Sequence, residues 1–570
     1  MFLGIDVGGT HTDAVLLSLD GASFTVISWT KVDTDHTDVV SSVRSAMDAV
    51  LEGQNPALVE RFTLSTTLTT NALAQERHGN ALLALVPGPG MDIAGWTEGL
   101  PVHVLSGAID HRGRETAPLV AAELEALQKH IQDMGPCSLA IAGKFATRGP
   151  EQENALAGKL RSPEVRSVSL SHRLSGMLNF PRRAVTAFYN AALWQLHGDF
   201  ADAVLRASAG LGNALEPFLL MAHGGSAPLH ASRENCVEAA SSGPAASVLG
   251  ILALERHALA GDDAVLFLDI GGSTTDLSVL AHGSPVTAPE GLTLGGRKTS
   301  VPGLATASVP VGGDCPLVVG PGGEITLDSR RLGPCLAMGG PAPTLTDALN
   351  VLGLAAWGDA ALSARGMRDI AARAGAIKGA AVTAETAAAA AVTRAAETIR
   401  QAADIFLAEI NARPVYTVAQ LLAGATVTPK RLCVAGGAGP SMAAALEKAF
   451  QLPVAIPGHA AFANAIGAAL ARVSAFASLY ADTARNVAHL LPDGGTREIP
   501  SGYGLDQAVK DVAAYLAERM AVLDPQADAV RADLVESDSF TMHDERGTRL
   551  GRTIRVLSRV RPGLVTDQGS

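Results

Sequence analysis

Asp6-Val-Gly-Gly-Thr-His-Thr-Asp13 and Asp269-Ile-Gly-Gly-Ser-Thr-Thr-Asp276 are two copies of one pattern: Asp, any residue, Gly-Gly, Ser or Thr, any residue, Thr, Asp. Each follows a short apolar run, Phe2-Leu3-Gly4-Ile5 or Val265-Leu266-Phe267-Leu268. Each continues into another, Ala14-Val15-Leu16-Leu17 or Leu277-Ser278-Val279-Leu280. Apolar run, glycine turn and apolar run predict a strand, a tight turn and a returning strand. A glycine turn lets backbone N–H groups approach phosphate oxygens with no Cβ in the way. One copy alone reads equally well as a plain hairpin turn. Two copies in separate halves favour a pair of hairpins facing across a cleft and gripping one polyphosphate.

On that reading Gly8, Gly9, Thr10, His11 and Thr12, with Gly271, Gly272, Ser273 and Thr274, are the phosphate-binding candidates. Asp6 and Asp269 are the metal candidates, because a strand-end carboxylate can hold the water shell of Mg²⁺. Asp13 and Asp276 are catalytic candidates as bases, or else they brace the hairpins. His11 reads either as a phosphate contact or as a solvent-facing turn residue.

The chain has 570 residues, which predicts two or three domains. Its net charge of −12 argues against a broad nucleic-acid surface. There is no apolar stretch of membrane-spanning length, so no membrane association is expected. The chain runs straight into the first glycine turn, so a signal peptide is not expected. Five cysteines, none in a C-x-x-C pair, argue against a disulfide framework or a zinc ribbon and point to a reducing cytoplasm.

Between the two hairpins, helices are expected at Leu124–Met134 and Ala184–Leu205, with a strand at Leu139–Ala142. Gly379–Asn411 is Ala-rich and reads as one packed helix. Glycine and proline crowd Val301–Pro343, too long a stretch for a simple turn. Residues 476–570 read as a small appended α/β unit with a helix near Leu505–Leu523 and a strand at Thr553–Val560.

Three further segments extend the pattern. Cys433-Val-Ala-Gly-Gly-Ala-Gly-Pro440 is a strand entering a glycine turn that opens the helix Ser441–Phe450, which suits a nucleotide. Ser242-Gly-Pro-Ala-Ala-Ser-Val-Leu-Gly250 and Asn464-Ala-Ile-Gly-Ala-Ala-Leu470 are helices rich in small residues, whose backbones can pack closely. The order hairpin, small-residue helix, hairpin, glycine turn, small-residue helix resembles the actin, sugar kinase and Hsp70 ATPase superfamily. That resemblance implies an α/β fold of two ribonuclease-H-like (actin/Hsp70 ATPase-like) lobes around a nucleotide cleft, with ATP and Mg²⁺ bound. It implies lobe I over 1–258, lobe II over 262–458, a return to lobe I through 459–475, and the unit 476–570. Gly436, Gly437 and Gly439 would frame the adenosine.

Ser65-Thr-Thr-Leu-Thr-Thr-Asn-Ala-Leu-Ala-Gln-Glu76 is similar to a Gly-Thr-Thr…Thr-Asn-Ala-Leu segment of the hydantoinase A/5-oxoprolinase family. His223-Gly-Gly225 before Ser242-Gly-Pro-Ala-Ala246 resembles that family's Asn-Gly-Gly…Ser-Gly-Pro-Ala-Ala, and Gly339–Ala348 its Gly-Gly…Pro-Thr-x-Thr-Asp-Ala. The resemblance covers about residues 1–475. It implies an ATP-dependent hydrolase of cyclic amides of the hydantoin or 5-oxoproline type, or the ATP-binding A-type subunit of one, acting by phosphorylation of the carbonyl oxygen. The alternatives it leaves are a ketone carboxylase subunit and an ATP-driven reactivating chaperone. Thr66, Thr67, Thr70 and Asn71, with Gly312, Gly313 and Asp314, are the substrate candidates, for a small carbonyl compound or cyclic amide. Many relatives work with a B-type subunit, so a homo- or hetero-oligomer is expected. The chain departs from the family in having His11 where Phe is commoner. It also has Gly312-Gly-Asp-Cys315 where Gly-Gly-Gly-Ser is commoner, and a shortened Gly333-Pro-Cys335. An added Asp beside phosphates would repel them unless it binds metal or takes up a proton.

Overall fold

The computed structural model describes residues 1–9, 11–35, 38–209, 215–255, 264–281, 284–288, 290–412, 426–492, 495–525, 532–543 and 546–567. The chain divides into two compact units: unit 1 comprises Met1–Ala246, Ala288–Gly303 and Ala468–Ser570, and unit 2 comprises Ser247–Thr287 and Leu304–Gly467.

Unit 1 opens with the first hairpin. Strand β1 (Phe2–Val7) pairs antiparallel with β2 (His11–Asp20), which pairs antiparallel with β3 (Ser23–Asp33). On its other side β1 runs parallel to β4 (Arg61–Thr66), followed by β5 (Phe218–Leu220) and β6 (Ser226–Pro228), giving the order β6-β5-β4-β1-β2-β3. Leu3, Ile5, Leu16, Phe62, Leu64 and Leu219 are fully buried and pack with Val43, Met47 and Phe200 from two covering helices. Each such side chain contributes roughly 1.5–3 kcal/mol on burial. Because successive residues of a strand point to opposite faces, Asp6 stands on the face opposite Ile5 and Val7.

A second, parallel sheet in unit 1 has the strand order Val165–Leu170, Cys137–Gly143, Ala81–Val86, Val102–Val104. The helix before Cys137–Gly143 spans Ala121–Met134, and the long helix α2 spans Phe180–Ser208, capped by Asn179, whose side chain accepts from the Arg182 N–H at 3.3 Å. The shorter helix α1 (Leu68–Ala74) leaves the end of β4.

Unit 2 repeats the hairpin arrangement. Strand β7 (Ala264–Ile270) is antiparallel to β8 (Thr275–Ala281), which also pairs with β9 (Ser284–Pro285) and β10 (Thr306–Val309). On its other side β7 is parallel to β11 (Pro429–Ala435), and β11 to β12 (Val454–Ala455). Both sheets thus have the expected ribonuclease-H-like plan of one strand flanked by its hairpin partner and a parallel neighbour. Leu266, Leu268, Ile270, Leu277 and Val279 pack on Ile399, Phe406 and Met442.

Helix α3 spans Ser242–Leu254 and α4 spans Ala384–Asn411. The single helix expected over 379–411 begins later than its composition suggests. Gly379 takes a left-handed conformation (φ +64°) to end the preceding helix, Ala360–Lys378, and Thr383 caps α4 by accepting from the Thr386 N–H. Helix α5 (Gly439–Phe450) follows the third glycine turn, and α6 (Ala463–Leu470) carries the chain from the end of unit 2 into the last part of unit 1. The expected close approach of small-residue helices is present: a Cβ on Gly250 of α3 would lie 1.8 Å from the Ala463 carbonyl oxygen at the start of α6.

In the C-terminal part of unit 1, β13 (Phe476–Asp482), β14 (Val487–Leu491), β15 (Gly495–Glu498), β16 (Ala532–His543) and β17 (Arg549–Val560) form an antiparallel sheet in the order β15-β14-β13-β17-β16. Helix α7 (Leu505–Leu523) packs Ala508, Val512, Leu516 and Met520 onto it. Among the described residues no helix is long and apolar enough to cross a membrane.

Candidate active site

In unit 1, Asp6 sits opposite Asp13 on β2 and opposite Ser65 on β4, and directly opposed residues share a sheet face. The buried Ser65 hydroxyl donates to Asp6 Oδ1 at 2.5 Å and fixes the carboxylate at the strand end. The turn closes with the Gly8 N–H donating to the His11 carbonyl at 3.0 Å, and Gly9 is exposed beside Asn71. Thr10 lies outside the described residues.

The Ser65–Asn71 segment is attached to this hairpin. The Thr67 N–H donates to the Val7 carbonyl at 3.2 Å, and one turn into α1 the Asn71 side chain donates to Thr67 Oγ1 at 3.3 Å. The start of α3 joins them: Ser242 Oγ donates to the Thr66 carbonyl at 2.9 Å and accepts from the Thr66 N–H at 3.2 Å, while the Ser241 N–H donates to Thr70 Oγ1 at 2.8 Å. Asp6, Gly8, Gly9, Thr66, Thr67, Thr70 and Asn71 therefore form one cluster in unit 1. Thr66 and Thr70 spend their polar groups on packing the cluster, whereas Asn71 reaches the exposed Gly9 turn.

Two other hairpin residues have partners on β3. Lys31 Nζ lies 2.6 Å from Asp13 Oδ1. Burial holds the Asp13 carboxyl above its usual value, against the opposing pull of Lys31. His11 is half-exposed with Nε2 3.5 Å from the Asp33 carboxylate, and the buried Thr12 hydroxyl bonds Thr34 Oγ1 at 2.9 Å.

Unit 2 builds the second cluster from three loops. Asp269 faces Asp276 across the hairpin and Ala435 across β11, and the Gly271 N–H closes the turn on the Thr274 carbonyl at 2.9 Å. The third glycine turn abuts this strand end. Gly436 has φ +83°, and a Cβ there would lie 2.5 Å from Asp269 Oδ1 and from the Ile270 carbonyl oxygen. Only glycine fits both that backbone and that approach. Gly437 faces open space, and Gly439 begins α5.

The loop Gly312-Gly313-Asp314 docks on the same hairpin: the Gly313 N–H donates to the Gly271 carbonyl at 2.9 Å and the Asp314 N–H to the Gly272 carbonyl at 2.6 Å. The three residues assigned to substrate thus lie against Gly271 and Gly272, while Thr66–Asn71 lie in unit 1. The repulsion expected from Asp314 is met by a third route, since Arg331 Nη2 lies 2.7 Å from Asp314 Oδ2. Ser273 and Thr274 lie at the tip of the turn, the first half-buried and the second exposed. Asp276 faces Ser308 on β10, and burial raises its carboxyl against a hydrogen bond from Ser308. Cys315 is fully buried, with its thiol pushed up by burial, which suits a packing role.

The donor set at each strand end fits a hard cation that keeps most of its water, with a single carboxylate amid glycine backbone. Among the described residues no group of three or more His, Cys, Asp or Glu is placed to hold a metal by protein ligands alone.

Sequence reasoning passed over Ser65, Lys31, Ser241, Ser242 and Arg331 as site residues. Ser65 and Ser242 stood inside quoted motifs, and strand register would have placed Ser65 beside Asp6. Arg331 reaches Asp314 from a stretch with no periodic pattern, so its position had no signal.

The hydantoinase/oxoprolinase N-terminal region matches residues 2–162, and the hydantoinase/oxoprolinase family matches residues 183–476. The chain is 25% identical over 389 residues to a protein from Pseudomonas jessenii named caprolactamase subunit alpha, which covers 62% of this chain and 55% of that protein. The chain thus spans about half the length of the curated relative it matches. Two solved structures share its fold. A nucleotide-free acetone carboxylase has TM-score 0.72 and 16% identity over 99% of this chain and 87% of that one. An ATP-dependent caprolactamase from Pseudomonas jessenii has TM-score 0.69 and 19% identity over 98% and 87%.

Proposed function

We propose, for a chain that belongs to the hydantoinase/oxoprolinase family, that it is the ATP-using component of a hydrolase acting on cyclic amides. Both Asp-x-Gly-Gly hairpins serve one ATP. Asp6 and Asp269 would hold Mg²⁺ through its water shell, where the ion would offset phosphate charge. Backbone N–H groups of the Gly8-Gly9 and Gly271-Gly272 turns receive phosphate oxygens, with help from Ser273 and Thr274. The exposed Gly437 and the start of α5 meet the nucleoside. Ser65 positions Asp6. Asp13 and Asp276 brace the hairpins, and Asn71, beside Gly9, is the substrate-side donor.

An amide carbon is a poor electrophile. In the proposed reaction the amide oxygen attacks the γ-phosphorus and ADP leaves, giving an O-phosphorylated imidate. Water adds to its carbon, the C–N bond breaks to free the amine, and an acyl phosphate remains. A second water releases phosphate and the carboxylate. Little of this needs covalent help from the protein, whose part is positioning and charge stabilisation.

The observation that supports this reading most is the approach of Gly436 to Asp269, a glycine turn and a strand-end carboxylate held together as a nucleotide site requires. The relative named a subunit supports a B-type partner, which would complete hydrolysis. The test is ATP consumption with hydantoin, 5-oxoproline, caprolactam and acetone, with and without that partner. Ring opening coupled to ADP formation is expected. Stimulation by acetone alone, or only by a protein, would overturn the reading.

A further inference from the structure

The loop Gly312-Gly313-Asp314-Cys315 brings a carboxylate to the second glycine turn and fixes it there. Asp314 Oδ2 lies 2.7 Å from the point that a Cβ on Gly272 would occupy, so the carboxylate stands directly against the turn. The loop cannot carry it away. A Cβ on Gly312 would lie 2.5 Å from the Gly272 carbonyl, which puts loop and turn in backbone contact. The Gly313 and Asp314 N–H groups are bonded to the Gly271 and Gly272 carbonyls. From the other side the Thr346 N–H donates to the Gly313 carbonyl at 2.8 Å and the Leu345 N–H to the Cys315 carbonyl at 3.1 Å. A carboxylate pinned in this way cannot retreat from an arriving phosphate, so its charge has to be offset in place.

Arg331 supplies the opposite charge. Its Nη2 lies 2.7 Å from Asp314 Oδ2, and the two side chains are 31% and 19% exposed. A partly buried pair of this kind is screened less by salt than a surface pair. The surroundings add negative charge rather than positive. The buried Cys315 thiol is pushed up by Asp314 and Asp328 and pulled down by Arg331, which places two carboxylates and one guanidinium about the same loop. Without the guanidinium, the turn would present fixed negative charge to any phosphate, and like charges a few ångströms apart in a partly buried site repel strongly.

We propose that Arg331 is a positioning residue of the second phosphate turn: by pairing with Asp314 it cancels the carboxylate held against Gly272, and so lets that turn accept a polyphosphate. The inference rests on the reading that this turn binds ATP. The test is calorimetry of the full chain with adenosine, ADP and ATP, at fixed magnesium and ionic strength. Arg331→Gln should weaken ATP about tenfold or more, ADP by less, and adenosine by less than about twofold. The loss should shrink at high salt. Arg331→Lys keeps the charge and should keep most of the affinity. Adding Asp314→Asn to Arg331→Gln should recover most of the ATP binding, because the uncompensated carboxylate is then gone. A merely structural role for Arg331 would weaken all three ligands alike, and the second substitution would restore nothing. Equal losses along the series, no recovery in the double variant, or wild-type ATP affinity in Arg331→Gln would each overturn the proposal. Asp269→Ala separates the two levels: ATP binding lost there but kept in Arg331→Gln overturns this inference alone, whereas no ATP binding in the wild type overturns the reading of the hairpins with it.

Discussion

Gly436→Ala tests the junction on which the second phosphate site depends. An added Cβ would lie 2.5 Å from both Asp269 Oδ1 and the Ile270 carbonyl oxygen, closer than real Cβ contacts come. The backbone at φ +83° adds a conformational penalty of about 1–2 kcal/mol for a residue with a Cβ. Relieving the overlap costs about 1–3 kcal/mol more. The sum is about 2–5 kcal/mol, or roughly 4–20 °C in Tm at about 2–4 °C per kcal/mol for domains of 150–250 residues. ATP turnover should fall as well, because the Asp269 carboxylate has to move. Gly437→Ala, one residue away, is the control: no atom lies within 4 Å of the added Cβ. Its stability should stay within about 0.5 kcal/mol of wild type, while its KM for ATP rises if that face meets nucleotide. Urea and thermal unfolding with steady-state ATPase assays on both variants decide the matter. Equal stability in the two would refute the packing argument. A stable Gly436→Ala protein with normal turnover would refute the assignment of Asp269.

Ser65→Ala removes the 2.5 Å hydrogen bond to Asp6, of a kind worth about 1.5–3 kcal/mol. Turnover should drop about ten- to a hundredfold, and an unchanged kcat would remove Ser65 from the site. Gly250→Ala places a Cβ 1.8 Å from the Ala463 carbonyl and should cost about 3 kcal/mol or more in urea unfolding; a neutral result would show that the two helices separate freely. Glu238→Gln tests a buried acid–base pair. His223 Nε2 lies 3.8 Å from Glu238. Burial raises the Glu238 carboxyl to about 7, with Arg519 opposing, and lowers His223 to about 4, with Arg559 assisting. Stability from protonated Glu238 is full below about 4.5, its ordinary value, and is lost as pH rises through 7; stability from neutral His223 is lost as pH falls from about 6.5 toward 4. Glu238→Gln removes only the first, so it should gain on wild type by up to roughly 3 kcal/mol between pH 5 and 8. A difference that is flat with pH would sink that reading.

The hairpins were legible because their signals are local: apolar runs flank a glycine turn, and the Asp6–Asp13 and Asp269–Asp276 pairings follow from the turn. The helix at Leu505–Leu523 and the glycine-opened α5 were legible for the same reason. Gly379 was read as helical because composition outweighed its role as a stop, although Thr383 three residues before Thr386 marks the true start of α4. The grouping of Ala288–Gly303 with unit 1 left no trace in periodicity, since it depends on Leu292, Leu294 and Val301 packing beside Phe188 and Tyr189, far away in sequence. The Asp314–Arg331 pair was likewise out of reach, because charge pairing across irregular loops follows no spacing rule.

The most direct measurement of the central claim is the stoichiometry and affinity of ATP binding by calorimetry in the wild type, Asp6→Ala and Asp269→Ala. If both hairpins serve one nucleotide, the wild type binds one ATP per chain and each substitution weakens it at least tenfold while Tm is retained. Two ATP per chain, or unchanged affinity in either variant, would contradict it.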